Sequence, residues 1–143
     1  MTGKPRLDAG AGPGPIAPGV LLDSSAWIRH VRHGDAVVDR AIAEGTALGH
    51  PDVAGEVAMG SGEQASRLRD VILGLARLEP LGRADLYALV ERLGMNGRGV
   101  GWIDAGIIAA CIAVDPPVPL YTRDRRMREL AALVGVPLVD PVY

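Results

Sequence analysis

The stretch Val20-Leu21-Leu22-Asp23-Ser24-Ser25-Ala26-Trp27-Ile28 constrains this chain most. An apolar run of strand length ends in an acid, and two hydroxyl residues then lead into an amphipathic segment. Strands of parallel sheets are buried on both faces and read as near-continuous apolar runs. Open α/β sheets bind ligands beyond the carboxyl ends of such strands. The pattern predicts a parallel strand that carries Asp23 to that edge. A helix capped by Ser24 or Ser25 follows, running to about His33 with Trp27, Ile28 and Val31 on its inner side.

The remaining chain repeats this alternation. Gly34 stops the first helix and Asp35 starts a second, through about Glu44; residues 46–49 suit a short strand. His50-Pro51-Asp52 opens a helix with Pro51 in its first turn, Val53 and Val57 inward, and Glu56 on the same helix. After Gly60-Ser61-Gly62, residues 63–77 form an amphipathic helix with Leu68, Ile72 and Leu75 on its apolar side. A short strand at 78–81 and a helix at 83–93 follow. Four glycines within residues 94–101 predict a mobile loop. Trp102-Ile103-Asp104 leads into an apolar helix, 105–114, which Pro116-Pro117 ends. Residues 118–122 read as a strand, 124–134 as a helix and 136–139 as a last strand. Strands alternating with helices imply an α/β fold of three layers, α/β/α, around a central parallel sheet. Residues 20–143 form one domain, and residues 1–19, rich in Gly and Pro, are expected to be a flexible tail.

Composition narrows the function. A formal charge of −2 gives no overall basic signature, so contact with nucleic acid must come from local arginine clusters. The chain has no Phe, two Trp and three Tyr, so its core must be aliphatic. Cys111 is alone in an apolar run, which excludes a disulfide framework and a thiolate metal site. No stretch reaches transmembrane length and no signal-peptide apolar region opens the chain, so a cytoplasmic protein is expected.

Each acid at a strand end or helix start has an ordinary explanation: Asp104 and Asp124 as caps, Asp23 as a turn residue, Glu56 on a solvated face. The set is more informative. Asp23 and Asp124 both follow apolar strands and emerge at one sheet edge, and Asp104 is the polar exception of an apolar helix. Carboxylates brought together repel, and a cation relieves that repulsion. With oxygen donors alone, Mg2+ or Mn2+ fits best.

Four segments taken in order resemble the PIN-domain ribonucleases, and more narrowly the VapC toxins of type II toxin–antitoxin pairs. They are Leu21-Leu22-Asp23-Ser24-Ser25-Ala26-Trp27-Ile28, Pro51-Asp52-Val53-Ala54-Gly55-Glu56-Val57, Trp102-Ile103-Asp104-Ala105-Gly106 and Leu120-Tyr121-Thr122-Arg123-Asp124. The resemblance spans residues 20–139. It implies a PIN-like domain whose Asp23, Glu56, Asp104 and Asp124 hold Mg2+ or Mn2+, with Ser25 and Thr122 as hydroxyls lining the site. It further implies an endoribonuclease toxin that hydrolyses RNA, tRNA or rRNA, to a 5′-phosphate and a 3′-hydroxyl. A cognate antitoxin and a homodimer are the implied partners. Either Val37, Val38 and Ile42 or Leu68, Ile72 and Leu75 would supply the dimer face. The chain departs from the family pattern after Asp124, where Arg125-Arg126-Met127 stands in place of a further acid and an aromatic.

Among the arginines, Arg98 in the glycine loop and Arg123 beside Asp124 are the candidates for RNA phosphate contact. Trp102 and Trp27 could stack a base, but core packing is the expectation for both. Phosphatases and receiver domains that begin with a strand-end Asp need a lysine near it, and Lys4 is the lone lysine of the chain. The competing reading is a catalytically inactive PIN scaffold that binds RNA or a protein partner.

Overall fold

The computed structural model describes residues 19–142, so the expected tail lies outside the described residues except for Gly19. Four short strands make a sheet: β1 (Val20–Leu22), β2 (Ala47–Gly49), β3 (Ala76–Arg77) and β4 (Leu120–Tyr121). Their order is β3-β2-β1-β4 and every pairing is parallel, with Leu21 opposite both Leu48 and Leu120. Helices α1 (Ser24–His33), α2 (Ala36–Glu44), α3 (Pro51–Ala58), α4 (Gly62–Leu73), α5 (Arg83–Arg92), α6 (Trp102–Ile112) and α7 (Arg125–Val134) join and cover the strands. The result is the three-layer α/β architecture, with a central parallel sheet, expected from the strand–helix alternation.

Leu21, Leu22, Leu120 and Tyr121 are fully buried, as parallel strands covered on both faces require. Helix α6 is buried without a break from Ala105 to Cys111. Burying side chains such as Ile107 and Ile108 contributes about 1.5–3 kcal/mol each. Cys111 is free and buried, and burial raises its thiol pKa, so it serves as an inert core residue.

The helix starts follow from named side chains. Asp35 caps α2 by accepting from the N–H groups of Val37 (2.9 Å) and Val38 (3.3 Å). His50 caps α3 through Nδ1, which accepts from the Asp52 N–H at 3.0 Å, and Pro51 occupies the first turn. Burial lowers the His50 pKa, which keeps the imidazole neutral and able to accept. Gly45 ends α2 in the left-handed conformation at φ 70°, where a Cβ is disfavoured. Gly49 ends β2 where a Cβ would lie 2.5 Å from the Ile72 carbonyl oxygen, so only glycine lets α4 approach so closely.

Several expected boundaries move. Helix α4 stops at Leu73: the Gly74 N–H closes the last turn, shared between the Asp70 and Val71 carbonyls, and the Leu75 N–H then shortens to the Ile72 carbonyl. The third strand is Ala76–Arg77 rather than 78–81. Leu78 donates to the Gly49 carbonyl at 2.9 Å and Pro80, lacking an N–H, prevents further pairing. The expected last strand at 136–139 reduces to one bridge between Leu120 and Leu138, since Pro137 has no N–H to donate. Ile28, expected inward, is exposed, whereas Val38 and Ile72 belong to the core. The glycine-rich loop is anchored by Met95, 2% exposed, whose N–H donates to the Val90 carbonyl at 3.0 Å.

Candidate active site

Four helices, α1, α3, α6 and α7, and two strands, β1 and β4, supply the residues of the site. β1 ends at Asp23, whose N–H pairs with the Tyr121 carbonyl of β4 at 3.0 Å. The Asp23 carbonyl accepts from Ala26 and Trp27, so its backbone begins α1 while its side chain takes no part in the cap. That carboxylate is held by hydroxyls. Oδ2 accepts from Thr122 Oγ1 at 2.7 Å and from Ser25 Oγ at 3.0 Å, and the two hydroxyl oxygens lie 3.1 Å apart. Each hydroxyl is itself fixed by a backbone donor. Arg123 N–H points to Ser25 Oγ at 2.9 Å and Asp124 N–H to Thr122 Oγ1 at 3.1 Å. The turn from β4 into α7 is thereby tied to β1 through the same side chains that orient Asp23.

Glu56 comes from α3, which packs against both α1 and α6, and Asp104 comes from the first turn of α6. Asp23, Glu56 and Asp104 each offer a carboxylate oxygen, and the three atoms lie within 4.8 Å of one another. Asp23 Oδ1 and Glu56 Oε1 are buried and have no hydrogen-bond partner. Burial and the charges of Asp23, Glu56 and Asp124 push the Asp104 carboxyl up to about 6. Burial also raises Glu56, helped by Asp23 and Asp52 and opposed by a hydrogen bond from Ser24. Oxygen donors only, crowded charge and two orphaned buried oxygens are the conditions a hard divalent cation relieves, so the donor set fits Mg2+ or Mn2+.

No protein-family model matches the chain. Two curated relatives, both named Ribonuclease VapC32, come from Mycobacterium tuberculosis strains CDC 1551 / Oshkosh and ATCC 25618 / H37Rv. Each is 32% identical over 123 residues, covering 86% of this chain and 98% of the relative. The chain belongs to the VapC ribonuclease family. Among solved structures, PAE2754 from Pyrobaculum aerophilum superposes with a TM-score of 0.56 at 19% identity. The match covers 94% of this chain and 92% of that one, and at this identity it speaks to the fold.

Within this VapC-family site, the four acids expected from the sequence do not stand as equals. Asp23, Glu56 and Asp104 cluster. Asp124 is exposed at the start of α7, where its Oδ1 accepts from the Met127 N–H at 3.1 Å. It remains close enough to raise Asp104. Ser25 and Thr122, the two hydroxyls singled out in the sequence, both donate to Asp23 Oδ2. Ser24, expected only as a cap, lies beside Glu56 and opposes the rise of its pKa. The adjacent pair Ser24-Ser25 after Asp23 was the available signal, since only one of two consecutive hydroxyls is needed to begin a helix.

The arginines separate as well. Arg123 reaches the Tyr121 hydroxyl at 3.2 Å and Asp35 at 3.8 Å, and its side chain is largely buried. Alternation along the strand end puts Tyr121 and Arg123 on the face opposite Thr122, away from the acids. Arg128 ties the Thr122 and Val139 carbonyls and Asp140 together. Arg98 is exposed, and with Arg126, Glu129, Leu130 and Leu133 it lines a cavity of about 390 Å³ along α7. Trp27 is a core residue as expected, whereas Trp102 is exposed and packs on Tyr87.

Proposed function

We propose that the protein is a Mg2+- or Mn2+-dependent endoribonuclease, the toxin of a type II toxin–antitoxin pair. It hydrolyses phosphodiester bonds in RNA, with tRNA or rRNA as the substrate class, and leaves a 5′-phosphate and a 3′-hydroxyl. The observation that carries this reading is the Asp23–Glu56–Asp104 cluster with its two buried, unpartnered oxygens. Family membership supports the ribonuclease class.

Asp23, Glu56 and Asp104 would hold the cation. Once bound, it would supply a Lewis acid and an activated water for in-line attack on phosphorus. Ser25 and Thr122 occupy Asp23 Oδ2 and so leave Oδ1 as the donor atom. Glu56, whose proton affinity is raised, suits the residue that positions the attacking water and takes its proton. Asp124 completes the acidic rim and orients the start of α7. Arg98 is the candidate for a phosphate contact. Arg123, engaged with Tyr121 and Asp35, is assigned to holding the turn after β4 rather than to RNA.

The partners of this reading are a cognate antitoxin that covers the acidic groove and a second copy of the chain. Ile42, Val71 and Leu73 are exposed apolar residues that suit such contacts. Among the described residues no helix is long and apolar enough to cross a membrane, which accords with the cytoplasmic location proposed here.

The test is cleavage of a total-RNA pool by purified protein with Mg2+ or Mn2+, then with EDTA, beside Asp23→Asn. Discrete cuts that vanish with the chelator and in the variant are the expected result. Cutting that survives Asp23→Asn overturns the site assignment, and folded, metal-binding protein that cuts nothing supports the inactive-scaffold reading.

A further inference from the structure

The described part of the chain holds four aromatic Trp and Tyr residues, and they divide sharply. Trp27 and Tyr121 are buried at 1% and 0% exposure, while Trp102 and Tyr87 are 42% and 60% exposed. The exposed pair is a single feature. The ring centroids of Tyr87, on α5, and Trp102, on α6, lie 5.0 Å apart with the planes tilted by 37°. In a chain with an aliphatic core and few aromatics, leaving two of them together at the surface forgoes the burial that large rings ordinarily contribute.

Its position gives the pair a use. Trp102 is the first residue of α6 and Asp104 the third, so their Cα atoms are roughly 5 Å apart by helix geometry. Successive residues two apart point to different sides of a helix. Trp102 accordingly lies toward α5, while Asp104 joins Asp23 and Glu56. Both residues lie in the first turn of α6, so a strand of RNA with its phosphate at the acids that crosses the N-terminal end of this helix would meet the aromatic pair within the length of a neighbouring nucleotide. Bases beside a cut in an unpaired segment have free faces, and stacking on Trp or Tyr satisfies them without reading their edges.

We propose that Trp102, backed by Tyr87, is a stacking subsite for an unpaired base flanking the cleaved phosphodiester. Trp102 presents the ring face and Tyr87 fixes its tilt. The subsite makes the enzyme prefer single-stranded or looped RNA and is indifferent to which base is stacked. This rests on the ribonuclease reading above.

The experiment uses the full chain and begins with cleavage of an RNA pool by the wild type in Mg2+ or Mn2+. Tryptophan fluorescence is then followed in Asp23→Asn protein with Mg2+, titrated with single-stranded oligoadenylate or with an abasic oligoribonucleotide of the same length. Trp27 is buried, so the quenchable signal belongs to Trp102. Quenching by oligoadenylate and none by the abasic strand is expected, and Trp102→Phe should abolish the quenching. In cleavage, Trp102→Ala should raise KM about tenfold with kcat little changed, and Trp102→Phe should restore KM. Equal response to both strands, or Trp102→Ala with unchanged KM in an enzyme that cuts, overturns the subsite. If the wild type cuts nothing, the ribonuclease reading fails and takes this one with it, an outcome told apart by the cleavage assay alone.

Discussion

Two buried aspartates sit about the end of β4, and they are built in opposite ways. Asp35, 6% exposed, is completed by the protein. Its Oδ1 takes the N–H groups of Val37 and Val38, its Oδ2 takes the Tyr121 hydroxyl at 2.6 Å, and Arg123 balances its charge at 3.8 Å. Asp23, 2% exposed, is left incomplete. One oxygen is held by Thr122 and Ser25, the other has no partner, and Glu56 and Asp104 add charge of the same sign. A buried charge is costly unless paired. The protein compensates that cost at Asp35 and leaves it standing at Asp23, which separates a structural carboxylate from one that, on the function proposed above, would receive a cation.

The sharpest way to break the comparison is to neutralise each aspartate in turn. Asp23→Asn should lower RNA cleavage by at least about a hundredfold while leaving the metal-free fold as stable or more so, because it removes charge from a repelling cluster. Asp35→Ala should do the reverse, costing about 2–4 kcal/mol in denaturant unfolding while the remaining folded protein keeps its cleavage rate. Loss of stability in Asp23→Asn, together with loss of activity in folded Asp35→Ala, would erase the distinction.

A smaller effect tests the charge crowding itself. Asp104 titrates at about 6 rather than 3.8, so the folded, metal-free protein binds this proton more tightly than the unfolded chain. Its contribution to stability is then present at low pH and is lost as pH rises through about 6. Asp104→Asn should remove that part of the pH slope and raise the metal-free Tm near neutral pH by roughly 2–5 °C. Mg2+ should raise the wild-type Tm above pH 6 and act much more weakly on the variant. Scanning calorimetry across pH, with and without EDTA, measures both.

The hydroxyls come next. Thr122→Val removes the donor to Asp23 Oδ2 and the acceptor for the Asp124 N–H, and should cost about 1–2 kcal/mol with weaker Mg2+ binding by calorimetric titration. Ser25→Ala should cost less, because Thr122 still holds Asp23. The smallest effect is expected at Arg98→Ala. It should raise KM a few-fold at low salt and converge on wild type as salt is raised, since an exposed guanidinium–phosphate contact is screened.

Much of this was legible in the chain. The apolar run into Asp23 named β1 and its edge, Pro51 marked a helix start, and the apolar run after Asp104 identified α6, which ends at Ile112 ahead of Pro116-Pro117. The boundaries at Gly74, Pro80 and Pro137 shifted where one missing or shortened N–H hydrogen bond decides whether a pairing continues; α6 spans Trp102–Ile112 rather than 105–114, and β4 Leu120–Tyr121 rather than 118–122. The site residues were legible as a set but not in rank. Local sequence allows Asp124 to be a ligand or a cap; its Oδ1 accepts from the Met127 N–H, and its charge still reaches Asp104. The position of Arg123 beside Asp124 does not by itself reveal its partners in the fold, the Tyr121 hydroxyl and Asp35.

What the sequence determined by itself is therefore what short-range chemistry determines: strand edges, helix starts, and which residue types could do metal-dependent hydrolysis. Only the tertiary structure decided that Asp23, Glu56 and Asp104 share one site, that Ser24 lies beside Glu56, and that Trp102 lies at the surface on Tyr87. Those residues are brought together from β1, α1, α3, α5 and α6. Their juxtaposition depends on how helices pack across the sheet, and no periodicity within a single segment carries that information.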